Sequence, residues 1–171
     1  KFPISSVNKV NNAKLRLYCA GLWSTPTNIS VCAYTSDWAE SLITYSNMSS
    51  MGTKLFTVNI DSINQYFEFD VTDYVRNALG DDYISFELST NEALGVVFRS
   101  KESENKPELV IDEGFFLSPQ ADAFVASACP DNNYGSHGLL AVKCAENDDI
   151  RSFLKYEKFI FFKVERGNLF N

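Results

Sequence analysis

Apolar and polar residues alternate in four stretches of the chain, residues 14–18, 66–71, 83–88 and 151–156. A period of two sends successive side chains to opposite faces, so each stretch predicts a strand with one face in a core and the other in water. Further β-rich runs lie at 30–34, 55–60, 96–99, 108–111, 122–126 and 139–144, separated by turn residues. About ten strands at this spacing predict an all-β fold, a two-sheet antiparallel β-sandwich of jelly-roll-like form. One segment departs from the pattern. Val71, Tyr74, Val75, Ala78 and Leu79 recur at three-four spacing, which predicts one short helix with Thr72 as its N-cap and Gly80 past its end.

Composition supports a packed core: 45% of the 171 residues are hydrophobic and 14% aromatic. No apolar run approaches the eighteen or so residues of a membrane span, which argues against membrane insertion. A net charge of −7 argues against nucleic acid as a partner, because phosphate contacts need clustered cations. The chain opens at Lys1 without a Met or a signal-peptide pattern, as expected of a mature or excised segment.

The four cysteines fall in two close pairs, Cys19 with Cys32 and Cys129 with Cys144. Neither spacing is that of a zinc knuckle, and His137 is the only histidine, so no Cys/His metal set exists. Two local disulfides are the expected reading, each closing a loop for a gain of about 3 kcal/mol, and they would place the protein in an oxidising, extracellular setting. Four buried free thiols are the other. The sequons at Asn28 and Asn47 are candidate glycosylation sites that agree with secretion.

The runs AKLRLYCAG, SDWAESLITYSNM, YFEFDVTDYVRNAL and VVFRSKESENKPELVI resemble, in order, the later two thirds of the DNRLRE domain family of surface modules. The runs ADAFVASACPDNNYGSHGLLAVKC and IRSFLKYEKF resemble the beginning of the same domain. The order is rotated, with the family's end first and its beginning last. Residues 1–111 then form the later part of one sandwich domain, 112–120 a linker, 121–159 the opening strands of the next or, by fold-back, of the same domain, and 160–171 the start of a following repeat or a tail. Laying Lys158 on Lys1 gives a tandem array with a period of about 157 residues.

Catalytic motifs are lacking: there is no GxSxG elbow, HExxH, P-loop or GxGxxG. Asp37 and Glu40 flank Trp38, and Asp70 and Asp73 flank Thr72, spacings that turns and caps produce on their own. The chain reads as a non-enzyme without a cofactor. The first expectation is an extracellular structural repeat that pairs with neighbouring copies of itself by strand complementation, building a filament. The alternative, implied by the resemblance, is an accessory carbohydrate-binding module for an acidic polysaccharide, whose carboxylates call for cations on a sheet face. Arg99, Lys143, Arg151 and Lys155 are the candidate contacts, with Arg16 beside them, while Arg151 and Lys155 share a face by their spacing. Trp23 and Trp38 are candidate stacking rings, although Trp38 also fits a core or loop anchor. A structural calcium, with Asp112, Glu113, Asp122 and Asp131 as oxygen donors, is a further expectation.

Overall fold

A computed structural model describes residues 5–6, 10–23, 26–79, 81–157 and 162–163. Its elements in chain order are β1 (Ser5–Ser6), β2 (Ala13–Leu22), β3 (Thr27–Ala33), β4 (Lys54–Ile60), β5 (Gln65–Asp70), α1 (Thr72–Asn77) and β6 (Tyr83–Ser89). They continue with β7 (Val96–Arg99), β8 (Glu108–Ile111), β9 (Phe115–Leu117), β10 (Ala121–Ala126), β11 (Leu139–Ala145), β12 (Asp148–Glu157) and β13 (Phe162–Lys163).

Eleven strands form one antiparallel sheet in the order β4-β3-β6-β12-β11-β7-β2-β8-β9, with β10 also on β12 and β5 also on β2. The sheet folds over at β11, which pairs with β7 through Leu139 to Val142 and with β12 through Lys143 to Ala145. Two layers result, a back sheet (β4, β3, β6, β12, β10) and a front sheet (β7, β2, β5, β8, β9). Between them lies the main core, where alternate residues of each strand meet: Leu15, Leu17 and Cys19 of β2, Ile29 and Val31 of β3, Phe86 of β6, Phe98 of β7 and Tyr156 of β12. The strands at 121–157, which the rotated order left to be supplied from somewhere, are supplied from within the chain. β12 runs between β6 and β11 as an interior strand.

The helix forms as the spacing predicts and buries Val75. Its cap differs, because residue Val71 occupies the N-cap position and no side chain caps the helix. The Thr72 hydroxyl instead accepts the Ala13 backbone N–H at 2.9 Å, stitching the helix to β2, while Asp70 Oδ1 accepts the Thr72 N–H at 3.0 Å. Gly80 lies outside the described residues, as do 1–4, 158–161 and 164–171, so the overlay of the chain's end on its start rests on sequence alone. The expected linker at 112–120 contains β9, joined to β8 by a tight turn in which Asp112 and Glu113 take positive φ of 48° and 57°.

The expected disulfides are corrected: all four cysteines are free. Cys19 points into the core between the sheets. Cys32 follows Val31 on β3, so it points to the opposite, outer face of the back sheet, and the sheet itself stands between the two thiols. Burial raises the pKa of both thiols. Cys129 is exposed in the turn after β10 and Cys144 is half-buried on β11, with no bond between them.

A second, smaller core lies outside the back sheet. The long connection between β3 and β4 folds over β10 and β12, packing Tyr34, Trp38 and Ile43 on Ala121, Ala123, Val125 and Phe153. The rings of Tyr34 and Phe153 meet edge to face at 4.9 Å. Both faces of β12 are therefore covered, Leu154 and Tyr156 by one core and Phe153 by the other.

Candidate functional site

The outward positions of the front sheet carry a row of partly exposed aromatic and basic side chains. On β2, Leu15, Leu17 and Cys19 turn inward, so Lys14, Arg16 and Tyr18 turn out. The register sets Tyr18 opposite Tyr66 and Arg16 opposite Glu68 of β5. The two tyrosine rings meet edge to face at 5.3 Å, and the Arg16 guanidinium lies 4.5 Å from the Tyr66 ring centre. Arg16 also reaches Glu108 at 2.7 Å, and Lys14 reaches Glu68 at 2.8 Å, so the charges at this end are fixed by ion pairs across three strands.

At the other end of β2 a bulge between Cys19 and Gly21 resets the alternation. Leu22 packs on the main core, and Trp23 follows it on the outer face, about half exposed. The space for its ring exists because residue 95 is glycine: a Cβ there would lie 2.4 Å from ring atoms of Trp23. Lys143 of β11 stands 5.7 Å from the ring centre and is ion-paired with Asp148. Between the tryptophan and the tyrosines the outward positions carry Gly21, Val97 and Ala141, small residues that leave a shallow trough spanning about 15 Å of strand. Arg99 of β7 follows the inward Phe98, faces outward beside the trough and is exposed.

The four cations expected to act together are divided by the fold. Arg99 and Lys143 belong to this outer face of the front sheet. Arg151 and Lys155 share a face, as their spacing requires, but it is the outer face of the back sheet, beneath the long connection. Arg151 pairs with Glu87 and Asp149, at 3.0 Å each, and Glu87 is fully buried. Burial raises the Glu87 carboxyl above its ordinary pKa against the pull of Arg151. Lys155 is 9% exposed, donates to Asp37 Oδ1 at 2.9 Å and to the Trp38 carbonyl at 2.8 Å, and lies 4.4 Å from the Tyr83 ring centre. Its hydrogen bond holds the Asp37 carboxyl below its ordinary range. Trp38 itself is buried, its indole N–H donating to Ser85, so it anchors the connection.

The expected oxygen donors are not brought together. Asp112 Oδ1 accepts the N–H groups of Asn11 and Asn12, and Asp131 accepts the Ser46 hydroxyl. Asp122 instead meets Glu40 and Glu102, their carboxylate oxygens within 4.8 Å of one another. Lys101 sits among them, 3.1 Å from Glu40 and 2.9 Å from Glu102, and its backbone N–H donates to Asp122. The Lys101 ammonium supplies the positive charge between Glu40 and Glu102. Burial raises the Asp122 carboxyl to about 7, with Lys101 opposing and Glu102 and Glu40 adding to the rise. His137 is exposed in its turn, edge-on to Phe124. The side-chain amide of Asn28 donates to Glu92 and that of Asn47 to the Leu42 carbonyl, and both residues are exposed.

Of the residues singled out in the sequence, Trp23, Arg99, Lys143 and Arg16 share this face, and the structure adds Tyr18 and Tyr66 to it, each an aromatic residue at an outward position of an alternating strand.

A family model described as carbohydrate-binding module family 96 matches residues 1–113. This is the description of a carbohydrate-binding module rather than of the DNRLRE domain that the motifs resemble. No curated protein and no solved structure matches the chain.

Proposed function

The chain belongs to carbohydrate-binding module family 96, and we propose that it is a non-catalytic extracellular module that holds an acidic polysaccharide along the outer face of its front sheet. The observation that supports this most is the order of groups on that face: the Trp23 ring with Lys143, a trough of small residues with Arg99 beside it, then Tyr18, Tyr66 and Arg16. Aromatic faces stack on the C–H faces of pyranose rings, and a guanidinium takes a carboxylate in a charge-assisted, two-pronged hydrogen bond. A trough about 15 Å long suits a chain rather than a single sugar.

Affinity electrophoresis in gels containing a polyuronate, with neutral cellulose derivatives as the control, tests the proposal. Trp23→Ala should weaken retardation roughly threefold to tenfold, the loss of one stacking contact. Arg99→Ala should weaken it too, and added salt should erase the difference between Arg99→Ala and the parent. Equal retardation of the parent and both variants would move the binding face elsewhere, and no retardation in any acidic gel would remove the acidic ligand.

A further inference from the structure

The outer face of the back sheet carries a cleft of about 400 Å³ at its far edge, away from the long connection's aromatic core. Ser89 of β6, Ser30 of β3 and Thr57 of β4 are set in register, so three hydroxyls cross three neighbouring strands in one row. Ser30 and Thr57 share a hydrogen bond of 2.9 Å. Ser89 is different. It is only 7% exposed, and the partners of its hydroxyl are two sulfur atoms, Met51 Sδ at 3.5 Å and Cys32 Sγ at 3.8 Å. A hydroxyl withdrawn from water normally finds an oxygen or nitrogen partner, because leaving it without one costs free energy. Here the hydroxyl lies at the bottom of an open cleft whose other walls also carry hydrogen-bonding groups.

Two more features narrow the kind of molecule that would satisfy it. Lys54, beside Cys32 at one end, is exposed and has no acidic partner among the described residues, in contrast to Lys14, Lys101, Lys143 and Lys155. The opposite end, about four residues or 13 Å along β3, is closed by Asn28, whose amide is engaged by Glu92. The cleft is therefore polarised, with a free cation at one end and a carboxylate beyond the other. Met51, about half exposed, supplies an apolar wall. A ring bearing several hydroxyls, one apolar face and one carboxylate matches these groups, and its size suits a cleft at the small end of ligand sites.

We propose that this cleft is a second glycan site, taking a single uronate residue or the end of a uronate chain with its carboxylate at Lys54 and a ring hydroxyl on Ser89. The inference rests on the carbohydrate-binding function proposed above and adds a site on the opposite side of the sandwich. One module would then hold two glycan chains on two faces and join them.

The test is a titration of the isotope-labelled whole chain with D-glucuronate, followed by amide ¹H–¹⁵N NMR shifts, with D-glucose as the neutral control. Glucuronate should move the amides of Ser30, Thr57, Ser89 and Thr90, and Lys54→Gln should weaken that binding at least about fivefold, while glucose moves them weakly. Lys54 is exposed, so this variant should keep the parent spectrum elsewhere; Ser89→Ala gives the same readout from the cleft floor. Retardation in a polyuronate gel, measured on the same proteins, separates the two sites, since Lys54→Gln should retain the contacts made by Trp23 and Arg99. Shifts confined to the front sheet, or retardation without any shift in the cleft, would overturn the second site and leave the first standing. Equal response to glucose and glucuronate, indifferent to Lys54, would overturn the uronate assignment. Neither shifts nor retardation would overturn the carbohydrate-binding function itself, and this inference with it.

Discussion

Asp122 shows how a single buried carboxyl shapes the pH response of this sandwich. It is 1% exposed and burial lifts its pKa to about 7, whereas an unfolded aspartate titrates near 4. Between about pH 4 and pH 7 the folded chain keeps a proton there that the unfolded chain has released, so its contribution to stability falls as pH rises through that window. The slope from one such group is at most about 1.4 kcal/mol per pH unit. Glu87, also raised by burial, acts in the same direction, while Asp37 and Asp70, both lowered, contribute stability that disappears only under more acid conditions. Asp122→Asn keeps an acceptor for the Lys101 N–H and removes the titration. Melting temperature against pH should therefore be flatter in the variant between pH 4 and 7. Parallel curves for the two proteins would show that Asp122 titrates as an ordinary carboxyl.

Among the elements, the long connection between β3 and β4 depends most on individual contacts, because its backbone bonds to strands at its ends, where the Tyr34 N–H donates to the Ser85 carbonyl and the Thr53 carbonyl accepts the Ala33 N–H. Trp38 and Ile43 hold it by packing, Lys155 by bonds to Asp37 and the Trp38 carbonyl, and Glu87 by accepting the Gly52 N–H. Arg151 keeps Glu87 paired beneath it. Arg151→Ala leaves a carboxylate buried without its cation, a loss of about 3 to 5 kcal/mol at neutral pH, which for a chain of this length lowers the melting temperature by roughly 10 °C. Burial raises the Glu87 pKa, so acidification protonates its carboxyl and the loss should shrink as pH falls. A penalty independent of pH would mean that Arg151 acts through packing alone. This arrangement also explains which parts were legible in the sequence. Alternation marked β2, β5, β6 and β12, and the four-residue spacing correctly put Arg151 and Lys155 on one face. It carries no information about what covers that face. Tyr34, Ile43 and Met48 follow no period, so of the second core only Trp38 was legible, as a core or loop anchor, and the covering of half-buried Arg151 and buried Lys155 was not. β9 was missed for a related reason: Phe115, Phe116 and Leu117 do not alternate, and the turn before them reads as a linker. On the front sheet the β7–β8 connection reaches the outward positions at Tyr66, whose hydroxyl donates to the Lys106 carbonyl, and alternation there puts Lys14, Arg16 and Arg99 outward.

At the scale of the whole molecule, the family match and the strand order divide the chain differently. The matched residues end at 113, yet the sheets they build are completed by β10, β11 and β12. β12 forms the inner boundary of the back sheet, pairing with β6 through Ser152 to Glu157, and contributes Leu154 and Tyr156, both fully buried, to the main core. Without residues 118–157, β6 and β7 would present unpaired edges and the core would open along Phe86 and Phe98, a combination of lost burial and orphaned backbone groups. A fragment of residues 1–117 should therefore be insoluble or largely unfolded by circular dichroism, and adding a fragment of residues 118–159 should restore a folded complex. Because the 171-residue chain carries its own closing strands, it has no need to borrow them from a neighbour, and light scattering behind size exclusion should give the monomer mass of 19.2 kDa even at high concentration. A folded 1–117 fragment would show that the matched segment is a domain by itself. End-to-end oligomers of the 171-residue chain that grow with concentration would show that the strands can exchange between copies, restoring filament assembly as this module's mode of action.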